Sequence, residues 1–186
     1  MQILGGKFKG KKLACPLGSH TRPTLGHIRQ AIFNVLENRF KINFFETSVL
    51  DLYAGTGALG FEALSRGSPN AVFIDQASEV VAVLKQNLKN VPEALVLQKD
   101  IISLKKNTFS PFDLVFMDPP YDTNLISKTV DVLQQGGWVH PNSLGVVEIG
   151  LKEDLVVPNN CQIVHQKQYS SCHIGFIRFL SKEELL

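Results

Sequence analysis

A chain of 186 residues, 44% hydrophobic and 19% charged, has room for one domain with an appendage and enough apolar content to bury a sizeable core, which excludes a disordered or fibrous protein. The net charge of +2 hides an asymmetry: residues 1–42 carry Lys7, Lys9, Lys11, Lys12, Arg22, Arg29, Arg39 and Lys41 against Glu37 alone, a net of +7, while the remainder has eleven basic and sixteen acidic side chains, a net of −5. Cys15, Cys161 and Cys172 are odd in number and far apart, without a C-x-x-C pair or a His at metal-ligand spacing, so reduced thiols and no metal are expected. No charged–apolar leader pattern opens the chain and no apolar run approaches the roughly 20 residues of a membrane helix, so a cytoplasmic, membrane-free protein is expected.

Met1–Leu13 alternates apolar and basic residues around Gly5-Gly6 and Gly10, which predicts a β-hairpin with one basic face. Phe8, between Lys7 and Lys9, suits either stacking on a base or packing on its own domain. Pro16, Gly18 and Pro23 mark a loop that ends in Thr21-Arg22-Pro23-Thr24, with Thr24 placed to cap a helix. From Leu25 to Phe40 the positions Ile28, Ala31, Ile32, Val35, Leu36 and Phe40 form a helical stripe, with Arg29 on a different side. A basic segment of this kind is either a solvated face or a contact for nucleic-acid phosphates.

Beyond it, short apolar runs alternate with helical patterns, the signature of an α/β fold with a mostly parallel sheet. Strands are predicted at Ser48–Leu52, Ala71–Asp75, Ala94–Gln98, Leu114–Met117 and Leu144–Ile149. Gln162–Tyr169 and His173–Leu180 follow with no helix between them, as an antiparallel pair at the edge. Helices are expected at Leu59–Arg66, Glu79–Asn90, Ile101–Lys105 and Asn124–Gln135.

Val49–Gly60, VLDLYAGTGALG, is where a buried strand breaks into a glycine turn and then a helix that Gly67 stops. The run from Gly55 to Gly60 matches G-x-G-x-x-G, a pattern also found in dinucleotide sites. Asp51, four residues before the first glycine, argues for a different ligand. A carboxylate at that strand end repels a pyrophosphate and favours a cation, and S-adenosylmethionine carries an ammonium and a sulfonium but no phosphate. Asp75 and Asp100 close the next two strands, suited to ribose hydroxyls and to the adenine base respectively; each alone also suits a helix cap.

Directly after Leu114–Met117 comes Asp118-Pro119-Pro120-Tyr121. The prolines make a rigid loop that offers carbonyls without amide hydrogens. The amino group of a base is a poor nucleophile because its lone pair is delocalised, and acceptors that hold its hydrogens direct the nitrogen at a methyl donor. Asp118 and the Pro119 carbonyl are such acceptors, and Tyr121 offers a ring for a flipped-out base.

These motifs together resemble the RsmD family of bacterial methyltransferases, which act on a guanine amino nitrogen of small-subunit ribosomal RNA. The resemblance covers Ile3–Leu13, Thr21-Arg22-Pro23-Thr24, Arg29, Ala31–Asn34, Asp51–Gly60, Glu62–Gly67 and Pro111–Asp113 leading into Asp118–Tyr121. It implies a Rossmann-like class I methyltransferase fold with a seven-stranded sheet and antiparallel C-terminal edge, residues 43–186, preceded by a basic hairpin-helix extension for RNA, residues 1–42. It implies S-adenosylmethionine as cofactor, contacted by Asp51, Ala54, Gly55, Gly57, Asp75 and Asp100. Asp118, Pro119 and Tyr121 become catalytic, and Lys7, Lys9, Lys11, Lys12, Arg22 and Arg29 become RNA contacts, with the two arginines near the reaction centre. The partner implied is 16S ribosomal RNA in a ribosomal particle, met by a monomer. The chain departs from the family at Asp75, often Glu, and at Tyr169-Ser170-Ser171-Cys172, where relatives tend to carry Tyr-Gly-Asp-Thr; the second difference bears on any substrate contact of the terminal hairpin. Methylation of an adenine amino group in DNA or RNA, a non-catalytic RNA-binding assembly factor and a dinucleotide oxidoreductase are the alternatives, the last disfavoured by Asp51.

Overall fold

The computed structural model describes residues 1–15, 26–120, 123–181 and 183–185. Strands β1 (Val49–Leu52), β2 (Ala71–Asp75), β3 (Ala94–Gln98), β4 (Phe112–Met117), β5 (Val139–Gly150), β6 (Cys161–Gln168) and β7 (Cys172–Phe179) form one sheet in the order β3-β2-β1-β4-β5-β7-β6. The first five run parallel, and β7 lies antiparallel between β5 and β6. The expected α/β sheet with an antiparallel C-terminal margin is therefore present, with β6 as the outermost strand.

Burial on both faces explains why β1, β2 and β4 read as near-continuous apolar runs. Alternation divides their side chains between two cores. Val49, Phe73, Leu114 and Phe116 pack with α1 (Gly26–Asn38), α2 (Ala58–Arg66) and α3 (Ser78–Asn87). Leu50, Ile74, Val115 and Met117 face the other way, towards Ile126, Val130 and Leu133 of α4 (Thr123–Gln135). Among the described residues, no helix is long and apolar enough to cross a membrane, and no group of three or more His, Cys, Asp or Glu side chains is placed to hold a metal.

The amino-terminal hairpin is less regular than the alternation predicts. Gln2 and Lys12 form a single antiparallel bridge, supported by Ile3 N–H to the Lys11 carbonyl and Leu13 N–H to the Met1 carbonyl. Its bend is bolted to α2 instead. The Lys7 amide donates to the Ser65 carbonyl at 2.7 Å, the Phe8 amide to Ser65 Oγ at 2.9 Å, and the Leu4 amide to Glu62 Oε2 at 2.7 Å. Gly6, at φ +73°, allows the approach, since a Cβ there would lie 1.7 Å from the Ser65 carbonyl oxygen.

Two further expectations are corrected. β5 begins at Val139, not at Leu144, because the Pro141-Asn142 turn signal is absorbed as an irregularity within the strand. Ser143 Oγ donates to the Phe112 carbonyl and accepts from the His140 amide, bridging the break in register with β4. In α1 the buried stripe is rotated: Phe33 is fully buried against Phe44 and Phe116, and Arg29, one turn earlier, is drawn under with it. The capping position proposed at Thr24 lies outside the described residues.

Candidate active site

The strand order reverses between β1 and β4, and in an open α/β sheet the crevice beyond the carboxyl ends of such neighbours is where ligands bind. Three loops meet there, after β1, β2 and β4. The register aligns Leu52 with Met117 and with Ile74, so the Tyr53 turn, Asp75 and Asp118 stand at one level.

After β1 the backbone enters positive φ at Tyr53, Gly55 and Gly57. The turn is closed by the Gly57 amide donating to the Ala54 carbonyl at 2.7 Å, while the Ala54 amide holds the end of β2 through Ile74. A Cβ on Gly55 would meet nothing nearer than the Tyr53 carbonyl oxygen at 3.9 Å, so this residue faces open space. The third glycine of the pattern works differently. A Cβ on Gly60 would lie 2.6 Å from the Phe73 ring and 2.9 Å from Asp51 Oδ2, so its absence is what lets the start of α2 lie against the sheet.

Asp51 is buried, and its Oδ2 accepts the Gly60 amide at 2.9 Å. Desolvation pushes its carboxyl up to about 8, the Gly60 bond opposes this, and the nearby charge of Asp75 adds to it. Asp75 stands partly exposed at the end of β2, with Oδ2 accepting the Gly55 amide at 3.2 Å and Oδ1 the Ala77 amide at 3.0 Å. Asp100 is exposed and caps a short 3-10 turn through the Ile102 amide at 3.0 Å; it also lies close enough to Tyr53 to push that phenol up, after burial. The cap and a ligand contact are compatible, because a carboxylate has about four acceptor sites.

Asp118 follows β4 directly, beside buried Pro119. Its carboxyl is raised well above the usual range, first by desolvation, then by Glu148 and by Asp51. Glu148 is an acidic neighbour of Asp118 that the sequence motifs do not reveal. It sits one position beyond the Met117–Val147 pairing of β4 with β5, hence alongside Asp118. Cys172, buried at the start of β7, hydrogen-bonds to Glu148, and burial with that neighbour pushes its thiol up to about 12. The divergent Tyr169–Cys172 segment is thus the tight turn of the β6–β7 hairpin, closed by the Tyr169 amide on the Cys172 carbonyl at 2.8 Å, and it adjoins Asp118. The one signal in the sequence is an acid inside the otherwise apolar Val146–Ile149 run.

Asp51, Ala54, Gly55, Gly57, Asp75, Asp118 and Pro119 therefore gather at one end of the sheet, with Asp100 at its margin; Tyr121 and Arg22 lie outside the described residues. The basic residues are dispersed. Lys7 pairs with Glu93 at 2.6 Å, and Lys11 lies over the Phe8 and Phe61 rings at 5.5 and 4.7 Å. Lys9 and Lys12 are exposed and form no ion pair among the described residues. Phe8 packs edge-on against Phe61 with centroids 5.2 Å apart, which decides between its two readings in favour of its own domain. Arg29, expected on a different side from the apolar stripe and as an RNA contact, is 2% exposed and donates from Nη2 to the Gln2 carbonyl at 2.8 Å, so it is buried with the stripe. Burial lowers its pKa, against the opposing pull of Glu62.

A seven-stranded sheet in this order, with a glycine turn after β1 and an Asp-Pro-Pro loop after β4, defines a Rossmann-like class I methyltransferase. The family model described as conserved hypothetical protein 95 matches residues 1–178, and the chain belongs to this family, the RsmD family. It is 32% identical over 170 residues to ribosomal RNA small subunit methyltransferase D of Escherichia coli strain K12, covering 90% of this chain and 84% of that protein. Against the protein of the same name from Buchnera aphidicola of Acyrthosiphon pisum, identity is 31% over 168 residues, covering 89% and 86%. The solved structure of yhhF from Escherichia coli superposes with a TM-score of 0.82 at 29% identity, covering 98% of this chain and 99% of that one.

Proposed function

We propose that this protein transfers a methyl group from S-adenosylmethionine to the exocyclic N2 of one guanine in 16S ribosomal RNA, acting as a monomer on RNA within a ribosomal particle. The observation that carries the reading is the juxtaposition of Asp118-Pro119 with buried Asp51 and the glycine turn across the β1–β4 neighbours. When bound, S-adenosylmethionine supplies an electrophilic methyl group on a sulfonium.

The residues present fit that group. Asp51 is a buried carboxyl held largely protonated by its surroundings, and a cation restores its charge. Asp75 is already oriented by two backbone amides and keeps acceptor sites for paired hydroxyls. Ala54, Gly55 and Gly57 form the wall of the turn, and Asp100 serves the base. Asp118 and the Pro119 carbonyl hold the amino hydrogens of the target base, and Asp118, whose raised carboxyl makes it the stronger base once ionised, takes the proton released from the amine nitrogen after transfer. Tyr121 is assigned as the stacking platform. Residues 1–42 serve as the RNA-binding extension of the domain formed by 43–186, with Arg22, Lys9 and Lys12 as its phosphate contacts; Lys7 and Lys11 have structural duties as well. Guanine and N2 rest on membership of the RsmD family.

The test is methyl transfer from labelled S-adenosylmethionine to small ribosomal subunits, naked ribosomal RNA and DNA, followed by nucleoside analysis. Labelled N2-methylguanosine is the expected product. Labelled methyladenine overturns the substrate while keeping the chemistry, and tight cofactor binding without transfer favours an assembly factor. Charge reversal at Lys9 and Lys12 is expected to weaken RNA binding and to lower the slope of log affinity against log salt by about 0.7 per lost phosphate contact. Filter binding across a salt series checks this, and an unchanged slope removes both lysines from the interface.

A further inference from the structure

Asn87 closes α3, at the last helical position, and is 5% exposed. Its side chain makes three hydrogen bonds, all to backbone outside its own helix. Oδ1 accepts the Ala14 amide at 2.8 Å, and Nδ2 donates to the Ala14 carbonyl at 3.1 Å. Nδ2 also donates to the carbonyl of Thr56 at 3.1 Å, between the two glycines of the cofactor turn. One donor and two acceptors among its partners allow only one amide orientation, and only a primary amide pairs with both backbone groups of one residue while reaching a third.

The two backbones it joins belong to different parts of the proposed machinery. Thr56 lies in the turn assigned to S-adenosylmethionine. Ala14 is next to the last described residue before the stretch that holds Thr21-Arg22-Pro23-Thr24. Earlier parts of the amino-terminal segment are tied to α2 through Glu62 and Ser65, away from the glycine turn. At the turn itself the other described tie is the weak contact of Thr56 Oγ1 with Met1 Sδ at 3.6 Å.

We propose that Asn87 is a positioning residue that couples the cofactor turn to the amino-terminal RNA-binding segment, so that filling one site tightens the other. The inference rests on the proposed cofactor and RNA assignments. When the turn settles around its ligand, the Thr56 carbonyl is held in one place. Asn87 then holds the Ala14 peptide, and the amino-terminal segment that ends there loses freedom before RNA arrives. Linkage makes the effect reciprocal.

The experiment measures binding of small-subunit ribosomal RNA to the full chain with and without saturating S-adenosylhomocysteine, for wild type, Asn87→Ala and Asn87→Asp. Asn87→Asp keeps the shape and the acceptor for Ala14 but sets a carboxylate against both carbonyls. In parallel, hydrogen exchange follows the peptide containing Ala14. In wild type, S-adenosylhomocysteine is expected to tighten RNA binding about fivefold or more and to slow that exchange. In both variants both effects are expected to vanish, with affinity for S-adenosylhomocysteine alone within about threefold of wild type and the RNA KM, rather than kcat, carrying the loss. Should Asn87→Ala not fold, Asn87→Asp provides the comparison. Coupling that survives in the variants, or wild type with neither effect, overturns the proposal. Cofactor-dependent exchange in a wild type that binds no RNA overturns the RNA assignment and leaves the coupling standing.

Discussion

Asp118→Ala is expected to reduce methyl transfer by about 10²–10⁴-fold, while affinity for S-adenosylmethionine stays within about threefold of wild type. In the proposed assignment the carboxylate meets the target amine rather than the cofactor, and with it would go an acceptor for the amino hydrogens and a destination for the proton. Misfolding does not account for such a loss. The carboxyl of Asp118 is raised by burial and by its acidic neighbours Glu148 and Asp51, so its removal relieves a penalty. The thermal midpoint should stay level or rise. Asp118→Asn keeps an acceptor without the charge and should fall between alanine and wild type. Single-turnover transfer with cofactor titration measures both quantities; an alanine variant with wild-type turnover removes Asp118 from catalysis.

The second large effect concerns Asp51. Its folded pKa, about 8, lies above the ordinary carboxyl value, so the folded chain holds a proton that the unfolded chain has released. The contribution of Asp51 to the stability of the ligand-free protein is therefore fully present below the unfolded pKa near 4 and is lost as pH rises towards 8, the reverse of a salt-bridged carboxylate. Asp51→Asn, which keeps an oxygen for the Gly60 amide, should remove this decline and stabilise the free protein at pH 7 by about 2 kcal/mol or more. The same substitution should lower cofactor affinity by at least about tenfold, because the cation loses its counter-charge. In wild type, ionising Asp51 is part of binding. Affinity is then expected to rise with pH up to about 8 and to level off above it, with a proton released on binding at pH 7. Calorimetry in buffers of different ionisation heats counts that proton. Proton release that persists in Asp51→Asn assigns the effect to another group.

Elements with a strong local period are legible in the amino-acid sequence. β2 and β3 keep their expected limits, and α2, α3 and α4 move by a few residues at most, because apolar runs and helical stripes are set by near neighbours. The glycine turn and the Asp-Pro-Pro loop are legible for a related reason: each follows a buried strand, and in a parallel sheet strand ends share one edge. Irregular pieces are not. Pro141 and Asn142 are turn residues locally, yet pairing with β4 on either side of them, at Val139 and at Leu144, keeps that stretch within β5.

Residue types and their order therefore determined the α/β class and the acids at the strand ends, since period and turn geometry are local properties. Tertiary structure alone decided which way the ambiguous side chains went. Arg29 is buried because Phe33 must pack on Phe116, Phe8 lies on Phe61, and Lys7 is claimed by Glu93, which is distant in sequence. It also brought Glu148 and Cys172 beside Asp118, and Asn87 between Ala14 and Thr56. These contacts join residues dozens of positions apart, and no local pattern encodes them; they exist only once the sheet order has set which strand ends become neighbours.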